Sequence, residues 1–256
     1  MTHRTASAAA ALVIGLAVAG CSSTVSGEPG SETSTAGPAS SAAVRTSAGS
    51  AAPSAVPAGD EDYTRYLLTQ DDLPEGFEVT TEEPSTREDY VRSLGVADAA
   101  EAGLTIDPPQ CLGYDPYGDL EKVRVMDATS GTPLAIFAQA AGPAGPGLAS
   151  LRTRLAECAT STVSLTLPDG RTVTGSSTTD VLPDPDVGAD EVLVLTVTDE
   201  STGPDGQDYP TTTQTLGFAT VGSVVVGVRV IPVGPDPVDP AVATEVLTAA
   251  VALVRG

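Results

Sequence analysis

The chain has 256 residues, with 34 Asp and Glu against 12 Lys and Arg, a formal net charge of −22 at pH 7, and only one His, three Cys and no Trp. That acidic excess excludes nucleic acid and anionic membrane surfaces as partners of the folded part, because like charges repel. The single histidine is His3, so a chain processed beyond it has no imidazole for Ser-His-Asp or Cys-His catalysis, zinc ligation or pH switching.

His3 and Arg4 precede an apolar run from Ala8 to Ala19. This run is shorter than the roughly 20 residues a transmembrane helix needs and has the build of a signal peptide. Val18-Ala19-Gly20-Cys21 follows, and this pattern resembles the bacterial lipobox. Residues 1–20 are therefore expected to be a lipoprotein signal peptide. Cys21 would be diacylated, with palmitate-type chains, and would anchor the protein to the cell membrane at its extracytoplasmic face. Two acyl chains hold stably where one holds only marginally. The competing account is an ordinary secretory signal in which Cys21 has no role.

An odd cysteine in an exported chain needs an explanation. Lipidation of Cys21 supplies one and leaves Cys111 and Cys158 as an even pair. In an oxidising compartment the pair is expected to form a disulfide; the alternative is two free thiols.

Residues 21–59 comprise the lipidated Cys and a segment of Ser, Thr, Ala, Gly and Pro with no aromatic residue. Such a composition cannot bury enough apolar surface to offset its ordering entropy, so it reads as a disordered tether. As a flexible coil it would reach roughly 30–40 Å. Residues 60–256 read as a single domain.

The domain opens with "YTRYLLTQDDLPEGFEV". Tyr63, Tyr66 and Leu67 can share a helical face, Thr69 can cap a turn over Asp71 and Asp72, and Pro74-Glu75-Gly76 ends it. Residues 86–102 are helix-compatible. "DPPQCLGYDPYGD" is a Pro- and Gly-rich loop holding Cys111. Val123–Met126 and Leu134–Ala138 predict two strands joined by a turn at Ser130-Gly131. Leu148, Leu151, Leu155 and Cys158 form one apolar stripe of a helix, which turns Cys158 to the core.

"VSLTL" and "RTVTGSS" flank Pro168-Asp169-Gly170, a hairpin signal. "EVLVLTVTD" follows an acidic loop, and two long strands surround Val221-Gly222-Ser223. The last helix starts with Asp239 as N-cap and Pro240 at its first position. Val242, Val246, Ala249, Ala250 and Leu253 are its expected inner face. The order predicts an α+β fold: a twisted antiparallel β-sheet packed by helices on one face, with one disulfide.

"LLTQDDLPEGF", "DPPQC", a core Cys in a mid-chain helix and a β-rich half closed by a helix resemble a group of actinobacterial, mycobacterial-type lipoproteins. These are related to the extracellular sensor domain of receptor kinases of PknH type. Eleven Arg against the single Lys122, with the Ala, Gly and Pro load, agree with a high-GC genome of that kind. The resemblance covers residues 60–256 and implies an α+β domain with a cleft that senses a ligand or binds a partner outside the membrane. The kinase sensor has two disulfides, whereas this chain can make one. No kinase domain is expected in these residues, so the resemblance does not imply phosphorylation signalling.

Catalytic motifs are absent: no G-x-S-x-G elbow, no phosphate-binding G-x-x-x-x-G-K-[ST], no H-E-x-x-H. No cofactor is expected. Asp184, Asp186 and Asp190 in "DPDVGADE" have a spacing that calcium loops use. The twelfth position of that loop is Leu195 rather than a bidentate acid, so a solvated turn is the competing account. Tyr114, Tyr117, Lys122 and Arg124 cluster beside Cys111 and are the local candidate for a ligand or partner site, since Tyr and Arg are enriched there. Against this, the tyrosines can cover a sheet edge and the basic residues can offset Asp115, Asp119 and Glu121. The expected function is a lipid-anchored envelope lipoprotein whose domain binds a ligand or envelope protein without catalysis. The alternatives are a lipid or glycolipid carrier with an apolar cavity and, behind it, an acid-dependent hydrolase.

Overall fold

A computed structural model describes residues 62–80, 83–89, 103–111, 116–131, 134–167, 169–233 and 237–256. The signal segment, Cys21, the tether, Tyr114 and most of the expected 86–102 helix lie outside the described residues; Arg87–Asp89 are helical. The strands are β1 (Phe77–Val79), β2 (Ser85–Thr86), β3 (Leu104–Asp107), β4 (Arg124–Gly131), β5 (Leu134–Pro143), β6 (Thr160–Thr166), β7 (Thr172–Val181), β8 (Glu191–Thr202), β9 (Thr212–Val221) and β10 (Val224–Pro232). Helix α1 (Leu148–Glu157) lies between β5 and β6, and α2 (Pro240–Arg255) closes the chain.

The strands make one ten-stranded sheet in the order β1-β4-β5-β10-β9-β8-β7-β6-β3, with β2 also on β4. Every pairing is antiparallel. The α+β class and the antiparallel sheet therefore stand as expected, and the four or five strands expected between the two helices are five.

One detail of that expectation is corrected. The two helices pack on opposite faces of the sheet, not on one. Leu193 and Leu195 of β8 and Phe218 of β9 pack with Leu148, Leu151 and Leu155 of α1. The alternate residues Val194 and Ala219 pack with Ala243, Val246, Leu247 and Ala250 of α2. Successive side chains of a strand point to opposite faces, so central strands that are apolar at every position serve a helix on each side.

Local devices seat these elements. Gly147 gives α1 no side-chain cap; instead Glu191 Oε2 accepts from the Leu148 N–H at 2.9 Å. Asp239 caps α2 through the Ala241 N–H at 2.9 Å, with Pro240 in the first turn. The buried stripe of α2 is Ala243, Val246, Leu247, Ala250 and Val251. That stripe is turned from the expected one, and Val242, Ala249 and Leu253 are only half-buried.

The opening segment forms two short 3₁₀ turns, Tyr63–Tyr66 and Gln70–Asp72. Asp72 Oδ2 accepts from the Thr69 N–H and hydroxyl at 2.8 and 2.7 Å. Fully buried Gln139 of β5 accepts from the Leu68 N–H at 2.7 Å and donates to the Tyr66 carbonyl at 2.8 Å. A buried amide must be satisfied, and this one pins the N-terminal turns to the α2 side of the sheet, where Tyr63, Leu67 and Leu68 join the core. On the α1 side, Cys111 and Cys158 are disulfide-bonded with Cα atoms 5.5 Å apart. The bond lies among Leu104, Ile106 and Val163 and ties the turn Pro109–Cys111 to the end of α1.

Candidate binding groove

The face that α2 covers over β8, β9 and β10 continues across β7, β6 and β3. Here the alternation is polar outward and apolar inward. Ile106, Val163, Leu165 and Val173 are buried on the α1 side. The residues between them are Thr, Ser and acids. Threonine is a good strand former whose hydroxyl tolerates solvent, so these strands form without a second apolar face.

The register aligns these polar residues into two ladders across four strands. One is Asp107–Thr162–Ser176–Glu200 and the other Thr105–Ser164–Thr174–Thr202. The loop between β8 and β9 raises a wall at one end. Thr202 and Asp208 bridge, the Thr202 hydroxyl donates to Asp208 Oδ1 at 2.8 Å, and the Tyr209 N–H donates to the Ser201 carbonyl at 2.8 Å. The Tyr209 ring lies over Gly203, where an added Cβ would come within 3.0 Å of the phenol oxygen. Sheet and wall enclose a groove of about 620 Å³ lined by the ladder residues together with Asp208, Tyr209 and Thr211.

The ionisable side chains in the lining, apart from Tyr209, are Asp107, Glu200 and Asp208, with no Lys or Arg among them. Among the described residues no cation is paired with these three. Hydroxyls both donate and accept, and ionised carboxylates only accept. The groove therefore offers hydrogen bonds of both senses in a negative field.

The opposite face carries a partly buried polar chain centred on Gln214. Arg229 Nε donates to Gln214 Oε1 at 2.6 Å, and Gln214 Nε2 donates to Asp199 Oδ2 at 3.1 Å. Burial pushes the Asp199 carboxyl above its ordinary value, while hydrogen bonds from Ser177 and Gln214 and the Arg229 charge oppose that shift. This chain links β10, β9 and β8, and Asp199 Oδ1 is buried without a hydrogen-bond partner.

The residues singled out from the sequence lie elsewhere. Tyr117 packs on the α1 side over Gly142 and Gly227, where an added Cβ at Gly227 would lie 2.5 Å from its phenol oxygen. Its hydroxyl donates to the Ala140 carbonyl at 3.4 Å. Arg124 pairs in register with Ala141, on the α2 side, and donates to the carbonyls of Glu121 and Val123 at 2.9 and 3.1 Å. Lys122 is 3.9 Å from Asp119. Tyr117 and Arg124 are thus separated by the sheet.

The acids of "DPDVGADE" diverge as well. Asp184 pairs with Arg152, Asp186 accepts from the Gly188 N–H at 3.3 Å, and Asp190 caps the β9–β10 turn through the Gly222 N–H at 2.8 Å. Among the described residues, no group of three His, Cys, Asp or Glu side chains is placed to hold a metal ion.

The groove itself was missed in the sequence. Its signal was the Ser/Thr alternation in "TSTVSLT" and "TVTGSSTT", but which residues align across strands is set by register.

The chain is similar to the extracellular domain of PknH from Mycobacterium tuberculosis, at 15% identity and a TM-score of 0.46 over 79% of this chain and 100% of that one. It is also similar to the Rv0999 ortholog from Mycobacterium smegmatis, at 19% identity and a TM-score of 0.41 over 77% of this chain and 98% of that one. No family model matches, nor does any curated protein.

Proposed function

We propose that this protein is an exported lipoprotein, processed after residue 20, lipidated at Cys21 and tethered by residues 22–59. Its domain, residues 60–256, holds a ligand or envelope partner on the extracytoplasmic side without transforming it. The observation that carries this reading is the groove: a built concavity of about 620 Å³, within the usual range of ligand sites. Its lining has no histidine, cysteine or metal-ligating cluster. Among the described residues no helix is long and apolar enough to cross a membrane. The hydroxyl-rich lining does not match the apolar cavity that a lipid carrier requires.

The test has two readouts on the full chain expressed in an exporting bacterial host. Metabolic labelling with an alkyne fatty acid should mark the protein, and Cys21→Ala should abolish the label and release the protein to the medium. An unlabelled wild type would refute the anchor. Native mass spectrometry of the released protein should show a retained small-molecule mass or depletion of added candidates. Conversion of a candidate, lost on changing one groove carboxylate, would refute the non-catalytic reading.

A further inference from the structure

Taking the groove as the binding site, we propose that its ligand is a linear, multiply charged amine with an ammonium group at or near each end of the molecule.

The argument is the placement of the carboxylates. Asp107 stands on β3 and Glu200 on β8, at opposite ends of the ladder Asp107–Thr162–Ser176–Glu200. Neighbouring strands are about 4.8 Å apart, so three spacings separate the two acids by about 14 Å of sheet. Asp208 stands beside Thr202, reinforcing the Glu200 end. Between the ends there are only hydroxyls. The groove is thus negative at two poles and neutral, with hydrogen-bond acceptors, between them.

An ammonium group is a donor with no acceptor capacity, and each pole can hold one as a charge-assisted hydrogen bond. A compact cation would satisfy one pole only, and an anion would be repelled by both. The groove has no apolar floor for an acyl chain. Tyr209, at the Glu200–Asp208 end, presents a partly exposed ring that can face an ammonium group. The chain's net charge of −22 attracts any cation, so the claim rests on span and position and not on attraction alone.

The experiment is titration of the full-length Cys21→Ala protein with spermine and, separately, with the short diamine putrescine, by calorimetry and by amide chemical shifts. Spermine should bind one to one, at least tenfold tighter than putrescine. It should shift amides of 105–107, 162–164, 174–176 and 200–209. Asp107→Asn and Glu200→Gln should each weaken spermine about threefold or more, the fold-change of a partly exposed charge pair. The charge-matched control Glu75→Gln should leave affinity unchanged.

Shifts spread over the whole acidic surface, equal effects of groove and control variants, or equal affinity for the two amines would overturn the proposal. The wild-type shift map keeps the test open if a variant fails to fold. A glucosamine trimer serves as a second probe: tighter binding than spermine in the same footprint assigns the amine to a glycan, not a free polyamine. Binding of the N-acetylated trimer in the groove, without the amine, would overturn the amine class while leaving the groove a binding site.

Discussion

Removing the disulfide is the perturbation whose cost can be worked out most directly. Cys111 and Cys158 are 47 residues apart in sequence. Closing a loop of that length restricts the unfolded chain by about 4 kcal/mol at 25 °C on the chain-entropy relation. Both cysteines are buried against Ile106 and Val163, so Cys111→Ala with Cys158→Ala also loses packing, adding about 1 kcal/mol. A total near 5 kcal/mol is a large share of the 5–15 kcal/mol that usually holds a domain together. Urea unfolding followed by circular dichroism should show the midpoint falling, with a steeper slope because the unfolded chain exposes more surface. Hydrogen exchange should show β3 opening first. That strand is terminal in the sheet, pairing there only with β6, and the disulfide anchors the turn that follows it. A loss below about 1 kcal/mol with unchanged slope would refute the reasoning, since it would mean that the cross-link does not restrict the unfolded chain.

Gly227→Ala should cost about 1–3 kcal/mol by overpacking, because the new Cβ lies 2.5 Å from the Tyr117 hydroxyl and 3.0 Å from the Phe218 ring. Adding Tyr117→Ala should recover part of that loss in a double-mutant cycle, and strict additivity would contradict the contact. Glu191→Ala removes the acceptor on the first N–H of α1 and should lower stability by about 1 kcal/mol, read by thermal unfolding. Asp199 has a raised folded-state pKa because burial disfavours its charge. Its penalty is absent below the unfolded value of 3.8, grows as pH rises from there through the folded value, and is then complete. Asp199→Asn should therefore stabilise the protein at pH 7 and do little at pH 3 in urea titrations; a larger gain at pH 3 would reverse that sign. Asp72 is the opposite case, lowered by the hydrogen bonds from Thr69. Its contribution is present above 3.8 and lost as pH falls through the folded value, so Asp72→Ala should destabilise more at pH 7 than at pH 2.

Much of the architecture was legible because its signals are local. The hairpin at Asp169-Gly170 declares itself through turn chemistry: Asp169 accepts from the Arg171 N–H at 3.0 Å, and the Leu167 N–H donates across to the Arg171 carbonyl at 2.7 Å. Asp239-Pro240 starts α2, and the Leu148–Leu151–Leu155 stripe is buried. The pairing of Cys111 with Cys158 followed from counting thiols. The inner face of α2 was read in part: Val246 and Ala250 are buried and Ala249 and Leu253 pack against the core, but Ala243, Leu247 and Val251 were passed over, because Val, Leu and Ala occur all around the helix and its period cannot choose among apolar positions when most are apolar.

The central strands, the turn at Asp169-Gly170 and the Asp239 cap of α2 are a matter of neighbouring residues and were set by sequence alone; the acceptor at the start of α1 is Glu191, 43 residues away, and only the fold brings it there. Three further things were decided by the fold: that α1 and α2 lie on opposite faces, that Tyr117 and Arg124 are parted by the sheet, and that Asp107 and Glu200 end one ladder. Each depends on which strands become neighbours and in what register. Those choices come from burying two apolar faces at once, and a one-residue slip would reverse them.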